Sequence, residues 1–241
     1  MAGHSKWANI QHRKNRQDEK KGKLWTKIIR EITVASRNGV TDTNYNFRLR
    51  AALSKASAAN IPKDNINKAM QKSSKESNLY EEINYEGYGI EGSAFVVKAL
   101  TDNKIKTASE IRHAFTKNEG SLGQDGSVSF LFRSCGKFIF SSAYQEEDIF
   151  NTALEFGAED VIKIDETTIE VTCLSEHYIK LCHAFENAKL IFESSDIITE
   201  PLIMVKLNHE KYTKIQKLIL DLENLDDVQS VYTNAVLTGN H

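Results

Sequence analysis

Cysteine, proline and long apolar runs are all scarce in this chain of 241 residues. Its three cysteines, Cys135, Cys173 and Cys182, are odd in number and form no CxxC pair. That excludes a disulfide framework and a zinc ribbon, and it fits a reducing compartment. The only prolines are Pro62 and Pro201, so there is no proline-rich linker. No stretch approaches the ~18 consecutive apolar residues of a membrane-spanning helix. The opening residues lack the apolar core of about 7–15 residues that a secretory signal needs. Asp18 and Glu19 also interrupt what would otherwise resemble a mitochondrial presequence. A cytoplasmic globular protein of two or three small domains, with no membrane partner, is the expectation.

What the chain does have is charge sorted by position. Residues 1–78 hold 17 Lys and Arg against 6 Asp and Glu, a net of +11. Residues 79–241 hold 14 against 27, a net of −13, so the overall −2 hides a division. Such asymmetry points to a polyanion-binding module joined to something else.

The basic third reads as helical. From Lys23 to Arg37, KLWTKIIREITVASR places Leu24, Trp25, Ile28, Ile29, Ile32 and Ala35 on one face at 100° per residue. Lys23, Lys27, Arg30 and Arg37 form a cationic stripe on the other side, with Asn38-Gly39 as the stop. A second helix is predicted from about Asn44 to Ala59, capped near Asp42 or Thr43, with Arg48 and Lys55 sharing a side. The turn ANIP at 59–62 starts a third, with Lys68, Lys72 and Lys75 along a basic edge. The segment before these helices combines His4, Lys6, Trp7, His12, Arg13, Lys14, Arg16, Lys20 and Lys21. Cations meet phosphates and flat rings stack on unpaired bases, so these residues, with the stripes, are the candidate nucleic-acid contacts. Trp7 reads equally as a base platform or as an anchor for the tail.

After Asn78 the periodicity changes. INYEGYG and AFVVKAL read as strands, a helix crosses Ala108 to Lys117, and GSLGQDGSVSFLF ends as a strand. Residues 137–198 give the order βαββαβ, a ferredoxin-like module. The tail at 201–233 adds strand, helix and strand, able to complete a second such module around the first. The predicted class is therefore α+β, with an N-terminal helical domain (1–78), a discontinuous ferredoxin-like domain (79–133 plus 201–241) and an inserted one (134–200).

Several catalytic patterns are present only as letters. Gly87 to Gly92 spell GxGxxG, but a strand follows where the dinucleotide fingerprint needs a helix, so a hairpin is predicted. Gly120, Gly123 and Gly126 supply overlapping GxxG patterns, a minor candidate for a nucleotide clamp. Cys182 and His183 diverge on a helix, and the seven histidines show no metal spacing. Asp102, Ser109 and His113 make no convincing catalytic set, and the carboxylates at 146–148, 159–160 and 226–227 read as solvated helix ends and loops. No enzyme site, cofactor or metal is predicted.

The segments MAGHSKWANIQHRK, KGKLWTKIIREITVASR, NIPKDNI, YEGYG, LTDN, IRHAF, GSLGQDGSVSFLF and LDDVQSVYTNA closely resemble the YebC/PmpR family, which includes a mitochondrial translational activator of cytochrome c oxidase subunit I. The resemblance spans essentially the whole chain. It departs at NGVTDTNYNF, where a typical member has a glycine- and proline-bearing stretch, and at YEGYGIEG, where one has YEGYGPGG. It implies three domains, the last inserted in the middle one, and a cytoplasmic, non-enzymatic protein. It also implies either a transcriptional regulator on promoter DNA or a ribosome-associated translation factor contacting rRNA or tRNA and relieving stalling at proline-rich stretches. By resemblance, Gly3 to Lys14 match the family's signature terminus. A protein-interaction scaffold, with the basic head incidental, is the alternative from another class, and the oligomeric state is left open.

Overall fold

The computed structural model of the chain describes residues 19–38, 46–75, 80–141 and 146–238. Residues 133–200 form one unit, and the described residues before and after them form a second.

The second unit begins with three helices, α1 (Glu19–Asn38), α2 (Phe47–Ala58) and α3 (Lys63–Lys75). Ile28, Ile32 and Ala35 of α1 recur at helical spacing and pack on Leu49, Ala52 and Ala56 of α2 and on Ile61 and Ala69. The alanines at these contacts leave no bulk between the backbones, so the helices approach closely. The start of α2 falls later than the sequence predicts. Its cap is Asn46, whose Oδ1 accepts from the Leu49 N–H at 2.9 Å while its Nδ2 donates to the Ala35 carbonyl at 2.8 Å. One buried amide thus both starts α2 and ties it to α1.

The same unit continues with β1 (Glu81–Tyr88) and β2 (Ala94–Thr101), an antiparallel hairpin with Glu81 opposite Thr101 and Tyr88 opposite Ala94. The GxGxxG letters lie at its turn, as predicted. Gly87 has no room for a side chain, since a Cβ there would stand 2.7 Å from the Phe115 ring, and Gly92 has φ +70. Helix α4 (Lys104–Lys117) and the short β3 (Ser121–Leu122) follow. Predicted as a strand, VSFLF instead makes a 3-10 turn at Ser129–Leu131. The buried Glu86 carboxylate accepts from the N–H groups of Gly126, Val128 and Ser129 at 2.9, 2.6 and 2.8 Å, so donors that a ladder would use are taken by a side chain. Burial opposes ionisation of Glu86, yet these three bonds hold its pKa below the ordinary carboxylate value. The GxxG loop therefore binds the protein's own carboxylate.

After residue 200 come β8 (Val205–Leu207), α7 (His209–Glu223), β9 (Val228–Thr233) and β10 (Ala235–Leu237). Strand β9 pairs antiparallel with β2, giving a four-stranded sheet in the order β3-β1-β2-β9, while β8 and β10 form a separate parallel pair. Phe95, Val97, Ile111, Phe115, Ile215 and Leu218 form the core between this sheet and helices α4 and α7.

The unit at 133–200 contains β4 (Phe132–Ser141), α5 (Glu146–Glu155), β5 (Ala158–Asp165), β6 (Thr168–Leu174), α6 (Tyr178–Asn187) and β7 (Ser194–Pro201). Its sheet order β5-β6-β4-β7 is that of a ferredoxin-like fold, nested in the middle of the other unit's sequence. Phe138 and Phe140 meet Phe185 edge-on, and Tyr178 stacks on Phe138. By strand alternation Lys137 takes the opposite face, where it is buried and bonded to Glu170 at 2.6 Å.

Candidate nucleic-acid interface

The apolar face of α1 is fixed by the helical core, so its cationic stripe must point elsewhere. It points at the carboxyl end of α7 and the turn after it. Lys23 Nζ donates to the Asn224 carbonyl at 2.8 Å, and Lys27 Nζ to the Glu223 carbonyl at 2.6 Å. Arg30 donates to the Asp226 carbonyl at 2.9 Å, to the Leu100 carbonyl at 3.3 Å and to the Asp227 carboxylate. The last carbonyls of a helix have no intrahelical donors and carry partial negative charge, so Lys27 on the Glu223 carbonyl and Lys23 on that of the C-cap Asn224 complement the dipole, while Arg30 meets the turn beyond.

Asp227 anchors this contact. It is buried, and it also accepts from Thr107 Oγ1 at 2.5 Å and from Thr101 Oγ1 at 3.2 Å. Burial opposes its ionisation, but these hydroxyls and Arg30 pull its pKa below the usual carboxylate value. The sequence reading of residues 226–227 as solvated holds for Asp226, which is exposed, and fails for Asp227. Lys27 shows the opposite balance: desolvation lowers its pKa to about 8, with Glu223 and Asp226 only partly offsetting it.

The cations predicted to meet phosphate thus divide. Lys27 and Arg30 are partly buried against the chain's own carbonyls and Lys23, though exposed, bonds to one as well, because α7 ends beside them. Arg37 donates to the Tyr80 carbonyl at 3.3 Å. Arg48 bridges Glu31 and Glu82, whose carboxylates hold its guanidinium above its ordinary range although burial works against it. Lys55, on α2, and Lys68, on α3, are exposed, as is Lys63 at the start of α3. Lys63 and Lys68 make no ion pair or hydrogen bond to a described residue. The side chains of Lys20, Lys21 and Lys72 lie outside the described residues, as do His4, Lys6, Trp7, His12, Arg13, Lys14 and Arg16.

Beside the stripe is a feature that the sequence did not disclose. Trp25, Thr26, Ile29 and Arg30 of α1, Asn65 of α3 and Tyr80 surround an open cavity of about 320 Å³. The Trp25 indole N–H donates to the Ala59 carbonyl at 3.0 Å, which fixes the ring. The Arg30 guanidinium lies over the Tyr80 ring, 5.2 Å from its centre. Tyr80 and Asn65 were not legible as site residues, since only the packing of α1 against α3 and the entry to β1 brings them to Trp25. Among the described residues no group of His, Cys, Asp and Glu could hold a metal ion, and no helix is long and apolar enough to cross a membrane.

Residues 5–76 match the family model described as the TACO1/YebC protein N-terminal domain, and residues 80–235 that of the TACO1/YebC second and third domain. The chain is 54% identical over 238 residues to a probable transcriptional regulatory protein of Bordetella petrii, with 98% of each chain covered. It is 50% identical over 239 residues to one from Herminiimonas arsenicoxydans, covering 98% of this chain and 99% of the relative. Among solved structures it is similar to a conserved hypothetical protein from Aquifex aeolicus, with a TM-score of 0.84, 39% identity and 98% of each chain covered.

Proposed function

The chain belongs to the TACO1/YebC family, and from that membership we propose that it is a regulator of gene expression that acts by binding nucleic acid, with promoter DNA as its target. The observation that carries this is full-length similarity, at about half identity, to proteins named as probable transcriptional regulators. The sorted charge supports it: the basic third keeps exposed cations on α2 and α3, while the remaining residues are net acidic and would be repelled by the same polyanion. It is a cytoplasmic binding protein rather than an enzyme. With a large part of the α1 stripe engaged within the chain, phosphate contact falls to Lys63 and Lys68 and to the basic segment before α1.

The test is promoter-fragment binding by the full chain at two salt concentrations, run beside ribosome co-sedimentation from lysate with DNase and RNase controls. Binding to duplex DNA with log affinity falling steeply against log salt is expected, at about −0.9 per phosphate contacted. Pelleting with ribosomes that survives DNase but not RNase, without promoter binding, would move the target to ribosomal RNA. A flat salt response would leave the acidic modules as a protein-binding scaffold.

A further inference from the structure

We propose that the cavity between Trp25 and Tyr80 is a pocket for a single unpaired nucleobase, displayed by a strand whose phosphates run past α3. This rests on the nucleic-acid binding proposed above but not on duplex promoter DNA as the target, because it adds a contact to an unpaired base that a closed duplex does not offer. The Trp25 ring and Ile29 form one apolar wall. The Arg30 guanidinium, stacked on Tyr80 and pinned by Asp227, forms another and is held in place before any ligand arrives. Bases stack on aromatic rings and on guanidinium planes alike. Asn65 stands exposed at the rim, and its amide carries both donors and an acceptor, the complement that a base edge requires. Among the described residues no carboxylate lines the cavity. Lys68 lies three residues beyond Asn65 on the same side of α3, exposed and positioned for the adjoining phosphate. A cavity of about 320 Å³ is at the low end of the ~300–1,000 Å³ typical of ligand sites, large enough for one base but not for a dinucleotide.

The chain has two tryptophans, Trp7 and Trp25, so fluorotryptophan labelling of the full-length protein gives two fluorine resonances, assignable with Trp7→Phe. The probes are a short single-stranded RNA, the same length of abasic sugar–phosphate strand, and duplex DNA. The base-bearing strand should shift the Trp25 resonance and bind about 5- to 150-fold more tightly than the abasic strand, the range that one stacked base supplies. Tyr80→Leu and, at the exposed rim, Asn65→Ala should each reduce that preference at least several-fold while leaving affinity for the abasic strand unchanged; the abasic strand thus reports whether each variant is folded. Equal affinity for base-bearing and abasic strands, with the Trp25 resonance unmoved, overturns the pocket but leaves polyanion binding intact. A Trp25 shift produced by an aromatic peptide and not by the RNA overturns it as well. Failure of all three nucleic-acid probes to bind at low salt overturns the proposed function together with the pocket.

Discussion

Helices α1 and α3 both carry lysines away from the apolar core, and they use them in opposite ways. On α1, Lys23, Lys27 and Arg30 close on carbonyl oxygens at 223, 224 and 226 and on Asp227. On α3, Lys63 and Lys68 stand exposed without such partners among the described residues. A cationic stripe is therefore not by itself a phosphate site. Where a helix happens to end in front of it, the same charges become a clasp between helical head and sheet, and only the helix left without a facing carbonyl end keeps its charge for a partner.

The comparison is broken most directly at Asp227. Replacing it with Ala strips Arg30 of its carboxylate in a buried setting, and losses of this kind run to about 3–5 kcal/mol. Urea unfolding of the full chain should show that loss in the unit containing α1; a loss below about 1 kcal/mol would mean that the clasp is not what fixes the head. The same carboxylate sets an acid limit. Its pKa in the folded chain lies below the ordinary 3.8, so its contribution is complete above that value and disappears as pH falls through the lowered one. Asp227→Asn should accordingly flatten the acid limb of a stability–pH profile, and an unchanged limb would assign acid sensitivity to other groups.

Lys27→Ala should cost only about 0.5–1.5 kcal/mol, the worth of an ordinary hydrogen bond, because the desolvation that lowers its pKa to about 8 offsets the gain from its charge, and it should leave the salt slope of nucleic-acid binding where it was. The pair Lys63→Glu and Lys68→Glu should do the reverse. Stability should stay within about 0.5 kcal/mol, while the slope of log affinity against log salt should become shallower by about 1.8 if each lysine meets one duplex phosphate. If the two helices respond alike, the division between them is wrong. Smallest of all, Arg48→Ala removes partly exposed ion pairs to Glu31 and Glu82 and should cost no more than about 1 kcal/mol by thermal unfolding.

Much of this architecture was legible beforehand because it depends on local pattern. The βαββαβ order of 132–201 follows from alternation and turn residues, and the GxGxxG hairpin from the strand on its far side. The inward face of α1 follows from Ile28, Ile32 and Ala35 at helical spacing. What escaped depends on partners far away in sequence. Nothing near Lys27 announces a carbonyl 196 residues later, and backbone oxygens have no letter of their own. Asp227 looked like one more acid beside Asp226, yet Thr101, Thr107 and Arg30 enclose it. VSFLF has strand composition, but Glu86, forty or so residues earlier, takes its N–H groups. The pocket around Trp25 is hidden for the same reason: helical spacing puts Trp25 on the core face of α1, and Tyr80 and Asn65 join it only in three dimensions.

The length of chain spanned by the clasp also has a consequence during synthesis. Lys27 and its acceptor are 196 residues apart, and Lys23 and its acceptor 201. At elongation rates of about 5–20 residues per second, α1 emerges some 10–40 s before the carbonyls that will cap it have been made. For that interval the cations of α1 lack the acceptors that they meet in the folded chain, and they stay without them until residues 223–227 have been made and have folded back.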